Sequence, residues 1–528
     1  MPRSPLLSAL RRSMWLAELA GRRGMPPIDE LVEIARDQTL TRRRFLRDTS
    51  ATLAGAAAAT IIPGCLRPRS GRARRSDPRI VIVGAGVAGL NAAQKLRQAG
   101  MRATVYEAAG RSGGRMFSAT DLLGPGLTTE LGGEFLDSDH GDMFALAREF
   151  GLDLLDMNDD AGSGLVENAY FFDGRHHSER EIVEAFVPIA AKMRADFDRL
   201  GETIDYRDDG GAGELDRLSI AGYLERVGAT GLVRELLEIA YVTEYGLDVQ
   251  EQSALNLLLL IGLEVGGGFK ALGESDERYK IRGGNQRITD ELAARLDGAI
   301  ELGHRLTAVR ARGDGFTLTL DRKGGGAAEV NADIVVVTVP FSVLRDVEMN
   351  VELPPVKRRA IGELGYGNNA KVLVGFARPV WRDKGYSGNI LTDEAVQLAW
   401  DNSRMQGTQQ AGLTLYSGGE AALRVGEGTA AEQAARLLPG IEAAFPGLSA
   451  GRNGRVERFH WPSHPYSRGS YACYRPGQWT TIRGAEFEPV GNLFFAGEHC
   501  SADFQGFMNG AAETGRRAAT AIMELVRA

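Results

Sequence analysis

Three glycines, Gly84, Gly86 and Gly89, stand at G-x-G-x-x-G spacing in the stretch RIVIVGAGVAGLNAAQKLRQAG, which begins at Arg79. At this spacing the first glycine makes a tight turn and the second lets backbone approach a pyrophosphate. The third allows a helix to sit close on a strand. Ala85, Ala88 and Ala108 lie in the same turns and count among the expected cofactor contacts. RATVYE then ends on Glu107, eighteen residues after Gly89, where an acid accepts hydrogen bonds from a ribose. RSGGRM follows and places Gly114 and Arg115 where a second glycine turn and a cation meet the pyrophosphate. Far along the chain, VGNLFFAGEHC repeats the pattern of apolar strand, glycine and acid, with Gly497 and Glu498 placed to hold a sugar-like chain. A nicotinamide site needs no such distant return, whereas FAD does.

The elements that must position these residues can be read from periodicity. RIVIV is a β-branched run suited to a strand buried on both faces, and VAGLNAAQKLRQ is a helix stopped by Gly100. EIVEAFVPIAAKMRADFDRL and TGLVRELLEIAYVTEYG have helical apolar spacing. FTLTLDRKGGGAAEVNADIVVVTV reads as two strands around a glycine turn. These elements read as an α/β fold; the family resemblance set out below implies that it comprises a discontinuous Rossmann-like FAD-binding domain and an α+β substrate-binding domain.

Composition narrows the function classes. A chain of 528 residues exceeds one compact core, and 43% hydrophobic with 25% charged residues is ordinary for a globular protein. A formal net charge of -7 gives no support to nucleic-acid binding by the body of the chain. Three cysteines, Cys65, Cys473 and Cys500, make neither a disulfide framework nor a zinc site. His460 and His464 are four apart, but Pro462 and Pro465 deny them a shared helix face, so they read as loop histidines and no metal is expected.

The fingerprint starts late because of what precedes it. Thr41-Arg42-Arg43-Arg44-Phe45-Leu46-Arg47 resembles the twin-arginine export motif, and a weakly apolar run from Ala51 to Ile62 follows, too short to span a bilayer. The twin-arginine translocase is therefore an expected partner and the periplasm or the exterior the expected location. The rival reading is a basic arm on an intracellular protein. IIPGC is close to a lipoprotein cleavage box, which leaves a lipid tether at Cys65 open, although Pro63 suits such a box poorly.

Taken with GGRM, ELGGEF, IRGGNQRITDELA, DIVVVTVPFSVL, NNAKVLVGFARPVW, YSRGSYACYRPGQ and FMNGAAETGRRAA, the fingerprint and the FFAGEH return resemble the flavin-containing amine oxidase family from about Pro78 to the end of the chain. The family includes monoamine, polyamine and L-amino-acid oxidases. The resemblance implies an FAD domain from residues 78–158, 278–345 and 464–528 and a substrate domain from 159–277 and 346–463. Residues 1–65 are then a signal region and 66–77 a linker. It implies that Val309 meets the adenine, that Tyr471 and Phe507 are aromatic walls flanking the amine, and that Lys371 points inward to hold a water against the flavin. Two departures stand out. Ala109 replaces a frequent arginine, and Ser470 stands where monoamine oxidases bind flavin through cysteine, so FAD is expected to be non-covalent.

Substrate choice is less legible. Snake-venom-type amino-acid oxidases carry a carboxylate-binding arginine one position after the counterpart of Glu134, where this chain has Phe135. Glu134 and Glu244 read either as pocket acids favouring a second positive charge on the substrate or as buried acids bonded to backbone amides. GGEFLDSDH with LAREFGLDLLD looks most like bacterial oxidases or dehydrogenases of basic L-amino acids, which places an L-amino acid slightly ahead of a polyamine or monoamine. The expected reaction gives an imine, then keto acid and ammonia, with hydrogen peroxide if oxygen is the acceptor. Another electron acceptor and a homodimer both stay open.

Overall fold

The computed structural model describes residues 77–160, 164–261 and 276–527, together with Ile28. The twin-arginine stretch, Cys65 and the linker up to Ser76 lie outside the described residues. No helix among the described residues is long and apolar enough to cross a membrane.

A five-stranded parallel sheet carries the G-x-G-x-x-G turn at the end of its central strand. Its order is Leu493–Phe495, Ile334–Val337, Ile80–Val83, Ala103–Glu107, Ile300–Leu302, so strands distant in sequence meet side by side. Ile80–Val83 and Ile334–Val337 are buried at every position, as their unbroken apolar sequence requires. The helices Val87–Gln98 and Met508–Arg527 cover one face together. They approach so closely that a methyl on Gly515 would collide with the Ala88 carbonyl, and Asn91 Nδ2 donates to Ala512 O at 2.7 Å. The two ends of the cofactor signature are thereby welded into one layer.

A four-stranded sheet lies over the opposite face. His304–Arg312, Gly315–Arg322 and Ala327–Ala332 run antiparallel, and Glu348–Asn350 joins the first of them in parallel. The expected pair of strands around the glycine turn is in fact three. The second run divides at Asp333, and Ile334–Val337 leaves to enter the parallel sheet. Asp333 accepts from Arg79 N and from the Arg79 guanidinium, which anchors the point of departure.

The other half is a seven-stranded sheet in the order Arg452–His460, Ala370–Phe376, Ala411–Ser417, Leu398–Asp401, Tyr386–Thr392, Val166–Phe172, Arg175–His177. Both anticipated helices form, as Glu179–Phe197 behind a Ser178/Glu181 capping box and Leu232–Tyr245 ending at a left-handed Gly246. His460 is the last residue of a strand rather than a loop residue, because Arg452–His460 pairs along Ala370–Phe376; His464 follows a short 3₁₀ turn.

Candidate active site

One cavity runs from the first βα turn to the seven-stranded sheet, and both halves of the cofactor signature line it. Gly86 is the N-cap of Val87–Gln98, and a methyl placed on it would touch no protein atom within 4 Å. The absent side chain therefore leaves open cavity at a helix N-terminus, which is where a pyrophosphate is stabilised by free amides and the helix dipole. Gly89 serves packing instead: a methyl there would collide with the Gly84 carbonyl. Glu107 holds the turn in shape, accepting from Ala85 N and Ala109 N, both at 2.7 Å. Gly84, Gly86, Ala88, Glu107, Ala108, Gly114, Arg115, Gly497 and Glu498 all line the cavity, while Ala85 and Gly89 shape it from behind. Val309 is buried in the core away from the cavity, and the same strand presents His304, Arg305 and Leu306 to it instead.

Arg115 bridges the two ends of the chain. Its Nη1 donates to Glu498 Oε1 at 2.8 Å and to Ser470 O at 2.7 Å. Glu498 also accepts from Gly506 N at 2.8 Å. No cysteine among the described residues lines the cavity, and Ser470 Oγ donates to Asn369 Oδ1 at 2.5 Å, so the side chain at that position offers no thioether to a flavin.

Beyond these groups the cavity becomes aromatic. Tyr471 and Phe507 both line it, joined by Phe135, Trp400 and Tyr416. The Tyr471 hydroxyl donates to Glu244 O at 2.8 Å and lies 2.9 Å from the Tyr416 hydroxyl, which fixes the ring against rotation. Phe507 packs edge-on to His140 at 5.2 Å, and burial lowers that imidazole to about 3, so a neutral ring supports this wall. Trp400 and Tyr416 were not anticipated. They sit diagonally on neighbouring strands, a proximity that depends on the pairing register Leu398↔Tyr416 and Trp400↔Thr414.

Lys371 points inward from Ala370–Phe376 and is buried. Its Nζ donates to Glu130 O at 3.0 Å, Gly132 O at 2.9 Å and Glu134 Oε2 at 2.7 Å. An ammonium has three N–H bonds, so these acceptors use all of them. Glu134 Oε1 accepts in turn from Lys280 at 2.5 Å. Glu134 is thus a buried carboxylate between two lysines rather than an acid held by backbone amides. Burial alone would raise its pKa, but Lys280 and then Lys371 hold it below the usual carboxylate range. Lys280, also unanticipated, lies 4.8 Å over the Phe135 ring.

Glu244 lines the cavity as expected, and Glu277 stands with it as an acid that the sequence reading missed. Burial, followed by the charges of Asp137, Glu244, Glu134 and Asp276, raises Glu277 well above the ordinary glutamate range. The only sequence signal for it was an acid two residues before the strand Tyr279–Ile281.

This fold and this site are those of a flavin-dependent oxidoreductase with an aromatic chamber beside the cofactor cleft. The chain belongs to the flavin containing amine oxidoreductases, whose family pattern it matches over residues 87–523. It is 27% identical over 455 residues to a Mycobacterium tuberculosis protein assigned as the flavin-containing monoamine oxidase AofH, covering 85% of this chain and 97% of that protein. An L-amino acid dehydrogenase of Synechocystis is 25% identical over 465 residues, covering 84% and 95%. Cyclohexylamine oxidase from Brevibacterium oxydans shares the fold with a TM-score of 0.75 at 22% identity, covering 86% of this chain and all of that one (100%). The protein is an FAD-dependent enzyme that oxidises amines.

Proposed function

We propose that the substrate is an amine with no carboxylate on the reacting carbon, which is oxidised to an imine and hydrolysed to an aldehyde. The occupation of Lys371 carries this reading. Among the described residues, it is the one cation lining the aromatic part of the cavity, and its three donors are already used. The three arginines that line the cavity are also engaged: Arg115 with Glu498, Arg111 with Gly114 O, and Arg305 with Asp321. An α-carboxylate entering this chamber would be buried without a partner, which costs several kcal/mol.

FAD, held by the glycine turns, Arg115, Glu107 and Glu498, supplies the two-electron acceptor. The protein's share is placement. Tyr471, Phe507 and Trp400 exclude water from a neutral amine and restrict its α-carbon to one approach. Lys371 and Glu134 fix the floor of the chamber by tying Ala370–Phe376 to the Glu130–Glu134 loop. Oxygen or another acceptor completes the cycle, with hydrogen peroxide formed in the first case.

The likeness to an L-amino acid dehydrogenase favours the second reading, a basic L-amino acid giving a keto acid. Anaerobic mixing of the yellow holoenzyme with n-butylamine, phenylethylamine, L-lysine and L-arginine separates the two. Simple amines should bleach the flavin at least about tenfold faster than the amino acids. Bleaching by the amino acids alone would overturn the proposal.

A further inference from the structure

Glu134 reaches both lysines only because the loop Glu130–Glu134 and the strand Tyr279–Ile281 meet in one register. Just past Glu134, Leu136 and Tyr279 exchange backbone hydrogen bonds at 2.7 and 2.9 Å. On the other side the register is set by Asn285, which is 0% exposed and lies behind the cavity lining rather than in it. Its Oδ1 accepts from Ile281 N at 2.9 Å, beside Lys280. Its Nδ2 donates to Gly133 O at 3.0 Å and Glu134 O at 2.8 Å, and its backbone N donates to Glu130 Oε1 at 2.7 Å. A flipped amide would set oxygen against two carbonyls and nitrogen against an N–H, so one orientation alone satisfies the site. Gly283 and Gly284, at φ 80° and 107°, turn the chain so that Asn285 folds back over Ile281.

We propose that Asn285 is a positioning residue for substrate selection: it holds the Glu134 carboxylate on Lys371 and so keeps the lysine's donors from the α-carboxylate of an amino acid. This rests on the reading of the site as one for amines without a carboxylate. The same short loop supplies every acceptor that Lys371 uses, namely Glu130 O, Gly132 O and Glu134 Oε2. Asn285 in turn grips that loop at Glu130, Gly133 and Glu134. One amide side chain therefore governs all three contacts of the lysine without touching it.

Asn285→Leu keeps much of the side chain's bulk but none of its hydrogen bonds. The Gly133 and Glu134 carbonyls and the Ile281 N–H are then buried without partners, a state the loop relieves by turning toward other donors. Glu134 moves with its backbone and draws away from Lys371. The ammonium, 4% exposed at its side chain, is left buried with its counterion displaced. A substrate carboxylate entering the cavity then takes the place of Glu134 through a charge-assisted hydrogen bond, whereas a simple amine gains nothing from the change.

The test uses pairs that differ only in the α-carboxylate, n-pentylamine with L-norleucine and phenylethylamine with L-phenylalanine, in anaerobic flavin reduction by the holoenzymes. Wild type should favour each amine at least about tenfold. In Asn285→Leu that preference should narrow about tenfold, through a lower KM for the amino acid with kcat little changed. Glu134→Gln should narrow it likewise, and the double variant no further, because both changes act on one contact. A loosened fold would instead slow both members of a pair and leave their ratio alone. Asn285→Asp keeps the size and the acceptor for Ile281 N but removes both donors; it should shift the ratio the same way and decides the matter if Asn285→Leu does not hold FAD. A ratio unchanged in these variants, or effects of Asn285→Leu and Glu134→Gln that simply add, removes Asn285 from substrate selection and leaves the amine reading standing. A wild type that prefers the amino acids sinks the amine reading and the role of Asn285 together.

Discussion

Replacing Glu134 by Gln removes the one carboxylate that two buried lysines share. Lys371 and Lys280 have side chains 4% and 8% exposed, and both donate to Glu134, at 2.7 and 2.5 Å. Removing one partner from a buried ion pair typically costs ~3–5 kcal/mol, because the remaining charge stays out of water. For a folded body of roughly 430 residues, an unfolding entropy near 2.1 cal/mol/K per residue makes this a fall in Tm of about 3–6 °C. The pH dependence has a definite sign. Glu134 has a lowered pKa in the fold, so its contribution is complete above the unfolded value and is lost as pH falls through the folded one. The gap between wild type and E134Q should therefore be full at neutral pH and close only in acid. Differential scanning calorimetry of the FAD-loaded proteins reads it directly. Glu134→Gln combined with Lys280→Met should recover part of the loss, since one stranded charge is gone. A double variant no more stable than E134Q, or an E134Q unchanged in Tm at neutral pH, would refute the electrostatic account.

Glu277→Gln should act in the opposite sense on stability. The carboxyl is raised in the fold, so its ionisation opposes folding increasingly as pH climbs above the unfolded value of about 4.3, and E277Q should gain on wild type between about pH 5 and 8 in thermal melts. Gly89→Ala drives a methyl into the Gly84 carbonyl and should part Val87–Gln98 from its strand; the purified protein should be colourless or aggregated, as its absorbance near the flavin band would show. Export is proposed from Thr41–Arg47 alone: changing Arg42 and Arg43 to Lys should hold the enzyme in the cytoplasm, and fractionation that still finds it outside would remove the twin-arginine route.

How much of this was legible depended on whether a residue's role is set by its neighbours in sequence or across space. The cofactor cleft was readable because each turn carries its own chemistry. Gly86 leaves space at a helix start and Glu107 ends a strand, and both facts follow from a few adjacent letters. Val309 went astray for the complementary reason. Which residues of His304–Arg312 face the cavity depends on its pairing with Gly315–Arg322, where the register shifts between Leu306 and Ala308. Trp400 and Tyr416 were hidden likewise, each ordinary in its own strand and significant only once the strands are paired.

Lys371 shows that identity and role can separate. Its inward direction follows from the strand Ala370–Phe376 and agrees with the family resemblance, but a lysine that holds a water needs a donor to spare. Here Glu130 O, Gly132 O and Glu134 take all three. The residue that redirects it is Glu134, more than two hundred positions earlier, and Lys280 reinforces the arrangement from a third segment. In this chain the lysine therefore serves first as a clamp between the seven-stranded sheet and the cofactor-side loop, and the positive charge it presents to the cavity is shared with Glu134. The same pairing occupies the donors of Lys371, the one cation lining the aromatic part of the cavity among the described residues. The surroundings of Lys371 are thus a property of three segments together and of none alone.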